Sequence, residues 1–175
     1  MAEEYFDVVN ERDEPVGRAR RREVHARGLW HRAVYVLVFD RAGRIFLQKR
    51  SMQKDMSAGL WDASCSGHVD AGEDYDTAAV RELGEELGLH VAHTPERILR
   101  VEACEETGWE FVWVYRLGAD GPFVLHPGEI ERGEWLEPGE LTRRIAASPH
   151  AYCPPFRRIW AIVNQNSSDD VGRGR

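Results

Sequence analysis

The chain has 175 residues, 42% of them apolar and 30% charged, with a formal net charge of −7. That describes a soluble single domain with room for a full core, and it excludes broad non-specific nucleic-acid binding, though not anionic substrates, because a cation inverts a local field. Cys65, Cys104 and Cys153 are widely spaced and fit neither a zinc site nor a disulfide framework; the acidic start Met1-Ala-Glu-Glu-Tyr5 lacks a signal-peptide apolar region, and no apolar run reaches membrane-spanning length, so a cytoplasmic protein is expected.

Tyr5–Val9 is a short apolar run followed by turn-forming residues to Gly17, which predicts an N-terminal hairpin at about 5–20. Residues 18–23 are basic and read as exposed surface or the start of a solvated helix. His31–Phe39 is β-branched and aromatic, hence a strand; Asp40–Gly43 is a turn, and Arg44–Arg50 returns as a second strand. A polar loop with a lysine and two methionines covers Ser51–Gly59, and Leu60–Val69 reads as a strand with a short break. Asp74 or Asp76 caps a helix running to Leu87, with Gly88 as its left-handed stop. Two β-like stretches, 97–104 and 109–117, are joined by Glu105–Gly108, and a further strand lies around Gly133–Leu136. Pro138 starts a helix through Ala147, and Pro154-Pro155 opens a last one with Phe156, Ile159, Trp160 and Val163 inward. Residues 165–175 are polar and glycine-rich, and a frayed end is expected. With no repeat and no linker, the pattern is one mixed domain, helices packed on sheet.

The densest chemistry lies between Gly67 and Leu89. With Glu82 at zero on a helical wheel, Glu85 falls near about −60° and Glu86 near about +40°. Val80, Leu83 and Leu87 lie on the other side. Like charges at this spacing destabilise an isolated helix by a few tenths of a kcal/mol per pair. Hard oxygen ligands so arranged suit Mg²⁺ or Mn²⁺ with room left for phosphate oxygens. Taken alone, three such glutamates favour a solvated acidic face with Arg81 as neutraliser. The surrounding residues reverse that: Gly67, Glu73, Arg81, Glu82, Leu83, Glu85, Glu86, Gly88 and Leu89 fill every specified position of the pattern Gly-x5-Glu-x7-Arg-Glu-U-x-Glu-Glu-x-Gly-U, U being aliphatic. On average composition, a chance match at a given start is rarer than about one in 10⁸.

This segment resembles the Nudix box. The resemblance implies an α+β Nudix fold, a mixed β-sheet core sandwiched between helices, as one domain over 1–175. It also implies hydrolysis of a phosphoanhydride bond in a small nucleoside diphosphate linked to another moiety, with Mg²⁺ (or Mn²⁺) as cofactor. Carried over by position, Glu82, Glu85 and Glu86 are the expected metal ligands, with the Gly67 carbonyl as an added one. Arg81 and Glu73 are expected to hold the loop and orient the carboxylates.

Leu60-Trp-Asp-Ala-Ser-Cys-Ser-Gly-His68, with Leu29-Trp-His-Arg-Ala-Val34, resembles the isopentenyl-diphosphate isomerase branch of the superfamily. Those isomerases carry a catalytic cysteine two residues before a metal-binding histidine; that position is Ser66 here, and Cys65 lies one residue early, on the opposite face if this is a strand. Serine is a poor replacement for a thiol proton donor, and the box is complete, so the expected chemistry is hydrolysis. An isopentenyl-diphosphate-type isomerase and a non-hydrolytic nucleotide-binding module remain the alternatives. His25, His31, His68 and Glu110 roughly match the isomerase metal ligands and form a candidate second metal site, although the His25–His31 gap is one residue shorter than usual there. The bland alternative is that His31 and His68 are structural and His25 exposed.

A hydrolase needs a base for the attacking water. Glu85 or Glu86 can serve through the metal; Glu129 in Gly128-Glu-Ile-Glu-Arg-Gly-Glu-Trp135 is the favoured loop candidate, with Glu131 and Glu134 beside it. Lys49 and Arg50 are candidate substrate-binding cations, with Lys54 a weaker one. Trp30, Trp61, Trp109, Trp113, Tyr115 and Phe156 include candidates for a stacking partner, each more often core. The expected partner is a small-molecule diphosphate, with no nucleic acid and no membrane; family members are often dimers, so a homodimer is admissible.

Overall fold

The computed structural model describes residues 3–172, with side chains through residue 166. Strands β1 (Tyr5–Val9) and β2 (Pro15–Arg20) form an antiparallel hairpin, followed by helix α1 (Arg21–Arg27). A seven-stranded sheet then carries the domain: β3 (His31–Phe39), β4 (Ile45–Arg50), β5 (Trp61–Asp62), β6 (Cys65–His68), β7 (Glu96–Val101), β8 (Glu110–Gly118) and β9 (Ile130–Leu136). Helix α2 (Tyr75–Leu87) follows β6, and α3 (Pro138–Ala147) and α4 (Pro154–Gly172) follow β9.

β3 is the centre. It runs parallel to β8 over its whole length, from His31 opposite Glu110 to Phe39 opposite Gly118. From Ala33 to Phe39 it is apolar on both faces because both faces are covered. Ala33, Tyr35 and Leu37 pack with Leu141 of α3 and Phe156, Ile159 and Trp160 of α4, while Val34, Val36 and Val38 pack with Ala78, Ala79, Leu83 and Leu87 of α2. The period of two along one strand thus builds two cores, and the sheet lies between helices in an α+β Nudix-type arrangement.

Two details depart from the sequence reading. The turn at Asp40–Gly43 does join β3 to β4, but the two strands pair only at Phe39 and Ile45. The edge of β3 that a full hairpin would need is held by β6, with Ala33 to Val36 opposite His68 to Cys65. β4 pairs instead with β9 and β5. The second departure is α4, which continues to Gly172, so residues 165–172 are helical where a frayed end was expected; residues 173–175 lie outside the described residues. A helix satisfies its own backbone bonds, so a polar stretch can prolong one already anchored by Phe156, Ile159 and Trp160.

Candidate active site

β6 ends at His68, and the chain turns through Asp70–Gly72 into α2. The turn is tied to the N-terminal hairpin: the Ala71 N–H donates to the Tyr5 carbonyl (2.8 Å), and the Gly72 N–H to Asp7 Oδ2 (2.8 Å). Asp74 caps α2 by accepting from the Thr77 N–H (2.8 Å), and Gly88 closes it at φ 62°, in the left-handed region.

Arg81 is the clamp of this unit. It donates to both oxygens of Glu73 (2.9 Å each), to the His68 carbonyl (2.9 Å), to Glu82 (2.8 Å) and to Glu85 (3.1 Å). One guanidinium therefore joins the end of β6, the turn and the carboxylate face of α2, using the fork geometry that arginine supplies. Glu82 lies directly against Gly67: a Cβ on that glycine would come within 2.0 Å of the Glu82 carboxyl carbon. Glu86 is buried, and its Oε2 accepts from Gln48 Nε2 (3.0 Å) and the Ser66 N–H (3.1 Å). Glu85 stays outside, with 59% of its side chain exposed.

Burial raises the pKa of both Glu82 and Glu86 above the ordinary carboxylate range, and for Glu82 the charge of Glu86 adds to it. Two carboxylates, one buried and one largely so, that resist ionising side by side fit a bound cation, which would remove the repulsion. The Glu82–Glu85–Glu86 set with the Gly67 carbonyl thus fits a hard divalent ion.

Glu82, Glu85 and Glu86 line a cavity of about 620 Å³. Glu129 lines it too, ion-paired with Lys54, also a lining residue. Arg50 reaches the same cavity, but its guanidinium is already held by Asp62 (3.2 Å) and the Met56 carbonyl. Lys49 does not line it and pairs with Glu131 (3.3 Å). The reason is the pleat: Gln48 and Arg50 share one face of β4, and Lys49 points to the other. None of the six aromatic stacking candidates lines the cavity; Phe6 and Tyr35 do.

α1 and three strand ends bring together His25, His31, His68 and Glu110, of which His25, His68 and Glu110 line the same cavity. Among the described residues, the ligating atoms of the three histidines lie within 4.8 Å of one another. His31 Nδ1 sits 2.8 Å from the Leu29 carbonyl, so in the neutral ring it carries the proton and leaves a lone pair on Nε2. That Nε2 is buried without a hydrogen-bond partner, as is His25 Nε2. Glu110 Oε1 faces both His68 Nε2 (3.1 Å) and His31 Nε2 (3.4 Å). Burial lowers His25 to about 4, helped by the neighbouring imidazoles, and lowers His68. Burial would raise Glu110, but the facing His31 and His68 rings outweigh it and set it at about 2. The unpartnered Nε2 atoms of His25 and His31, beside His68 and the Glu110 carboxylate, fit a cation of the imidazole-binding kind. Phe6 from β1 covers the group, stacked on His68 (4.5 Å between centroids, 20°) and on His31 (5.7 Å, 4°).

Sequence reasoning missed Gln48, Asp62 and Phe6. Gln48 carried a usable signal, a neutral amide inside the apolar run Ile45-Phe-Leu-Gln48. Phe6 carried none, because only the fold brings β1 over the histidines. Ser66 lines the cavity, whereas Cys65 is buried in the α2-side core and lies against Glu86.

The fold and the glutamate helix define a Nudix-type domain. The family model for the NUDIX domain matches residues 29–154, and the chain belongs to that family. An uncharacterized Nudix hydrolase of Yersinia pestis is 36% identical over 174 residues, covering 97% of this chain and 91% of the relative. An isopentenyl-diphosphate Delta-isomerase of Photorhabdus laumondii is 31% identical over 180 residues, covering 97% and 96%. A crystal structure of a protein from Deinococcus radiodurans, described as a hypothetical Nudix protein, superposes with a TM-score of 0.75 at 34% identity, covering 82% of this chain and 90% of that one. Both hydrolase-named and isomerase-named proteins thus stand at similar distance. No helix among the described residues is long and apolar enough to cross a membrane.

Proposed function

We propose that this Nudix-family protein is a metal-dependent pyrophosphohydrolase, cleaving a phosphoanhydride bond in a small substrate in which a nucleoside diphosphate is linked to another group. The observation that carries the reading is the pair of carboxylates, Glu86 buried and Glu82 largely so, lining the cavity that also holds Glu129. Glu82, Glu85, Glu86 and the Gly67 carbonyl would hold Mg²⁺ or Mn²⁺. When bound, such an ion supplies charge neutralisation for the diphosphate and makes water more acidic. Arg81 keeps the carboxylates in place. Glu129 accepts the proton of the attacking water, and Lys54, beside it, offers its charge to a phosphate oxygen. His25, His31, His68 and Glu110 would hold a second ion, for which Mn²⁺ or Zn²⁺ suits the imidazoles better than Mg²⁺. The reading carries a small-molecule partner with neither nucleic acid nor membrane, a cytoplasmic setting, and a homodimer as the assembly to examine by light scattering.

The isomerase-named relatives keep isopentenyl-diphosphate isomerisation as a second reading. Against it stands Ser66 on the cavity wall, where a thiol is needed, with Cys65 turned into the core. A substrate panel with Mg²⁺ or Mn²⁺ separates these readings: nucleotide sugars, dinucleoside polyphosphates, nucleoside triphosphates, ADP-ribose and isoprenyl diphosphates. Phosphate-bond cleavage that disappears in Glu86→Gln supports hydrolysis. Conversion of an isoprenyl diphosphate to its isomer without phosphate release overturns it, and binding without turnover of any panel member points to a non-hydrolytic module.

A further inference from the structure

Gln48 is wholly buried in the middle of β4, between β5 and β9 and under α2. Its Nε2 donates to Glu86 Oε2 at 3.0 Å, and the Ser66 N–H donates to the same oxygen at 3.1 Å. Oε2 is thus held by two donors from outside α2, and Glu86 itself lines the cavity. The other end of the amide tells the same story. Gln48 Oε1 is buried with no hydrogen-bond partner among the described residues. A buried carbonyl without a donor is a cost that a methionine or leucine at this place would avoid. An amide kept here despite that cost is explained by what its Nε2 does.

We infer that Gln48 is a positioning residue for the carboxylate centre: it pins Glu86 through Oε2 and so orients the carboxylate for a divalent cation. The inference rests on the proposed metal-dependent reading, and it adds a residue outside the box, on a different element from the glutamates. The pin acts across the interface between sheet and helix, so it fixes the depth of Glu86 relative to Glu82, whose position is set separately by Gly67 and Arg81. Outer partners of metal ligands typically govern affinity or activity by about 10–100-fold.

Two variants remove the pin differently. Gln48→Met fills the same space without a donor, and Gln48→Asn keeps a buried amide but withdraws it by one methylene. Mg²⁺ is the probe, because a hard cation reports on the carboxylates and not on the imidazole cluster. Calorimetric titration of the full chain with Mg²⁺ is expected to show binding weakened about tenfold or more in both variants, and a smaller Mg²⁺-induced rise in melting temperature. With the substrate that the panel identifies, kcat is expected to fall about tenfold or more while KM stays within about twofold. Wild-type Mg²⁺ affinity and kcat in a folded Gln48→Met or Gln48→Asn protein would overturn the inference and leave the metal-dependent reading intact. Absence of Mg²⁺ binding in the wild-type chain would instead overturn that reading, and this inference with it. If Gln48→Met does not fold, Gln48→Asn decides by the same two measurements; if neither folds, Gln48 is a core residue first and the inference fails.

Discussion

Gly67 and Glu82 show how narrowly the site is specified at single residues. The glutamate carboxylate occupies the volume a side chain would take, so Gly67→Ala must displace Glu82 or the strand. A displacement of about 1 Å at a reacting centre costs on the order of 100-fold in rate. The variant is expected to lose kcat/KM by at least that factor, measured on the substrate that the panel identifies. A loss below about threefold would show that Glu82 has room to move. Glu82→Gln makes the opposite prediction for stability. Since burial and the neighbouring Glu86 disfavour the ionised Glu82, the neutral amide relieves both, and the metal-free variant should melt higher than the parent in chelator while losing much of its Mg²⁺-induced rise. At this scale the sequence was legible where spacing is the signal. Gly67, Glu73, Arg81, Glu82, Glu85 and Glu86 could be named from their positions in the chain, and the structure brings them together. Lys49 and Arg50 were named for their charge at a strand end, and there the pleat and a buried partner decide: Lys49 faces away from the cavity, and Arg50 is committed to Asp62. Charge alone carries no information about partners supplied by distant elements.

The elements repeat this lesson in their boundaries. α2 was readable from both ends because its stops are local: Asp74 accepts from Thr77, and the left-handed turn at Gly88 returns the Gly88 N–H to the Gly84 carbonyl and the Leu89 N–H to the Leu83 carbonyl. Asp74→Ala should cost about 1 kcal/mol of unfolding free energy, the usual loss for a cap. Gly88→Ala should cost about 1–2 kcal/mol, because its backbone is left-handed and a Cβ would meet the Val124 side chain at 2.9 Å. Urea melts in excess Mg²⁺ would check both, and a neutral result at Gly88 would mean the turn rearranges. The pairing of β4 was not readable. Its local turn is right, yet β6 competes for the same edge of β3, and that competition is non-local. The consequence reaches the site, since the pairing of β4 with β5 and β9 is what carries Gln48 beneath Glu86 and brings Arg50 to Asp62.

At the scale of the whole molecule, two groups of candidate ligands meet at one cavity: carboxylates on α2, and the imidazoles of α1, the start of β3 and the end of β6 with Glu110 at the start of β8. The N-terminal hairpin closes the second group, with Phe6 stacked on two of its rings and Tyr5 bonded to the box turn. His31→Ala together with His68→Ala should therefore abolish most of the stabilisation that Zn²⁺ gives the parent, about 2.7 kcal/mol at a hundredfold excess over Kd, while leaving the Mg²⁺ response in place. An unchanged Zn²⁺ response in the double variant would show that the histidines are structural. The central claim concerns the first group. Its most direct test is phosphate-bond cleavage across the diphosphate panel by the purified chain in Mg²⁺, set beside Glu86→Gln. Cleavage of at least one phosphoanhydride substrate by the parent is expected, with a loss of about a hundredfold to a thousandfold in the variant, the scale on which removal of a catalytic electrostatic group is felt. Equal cleavage by parent and variant, or isomerisation of an isoprenyl diphosphate with no phosphate released, would contradict it.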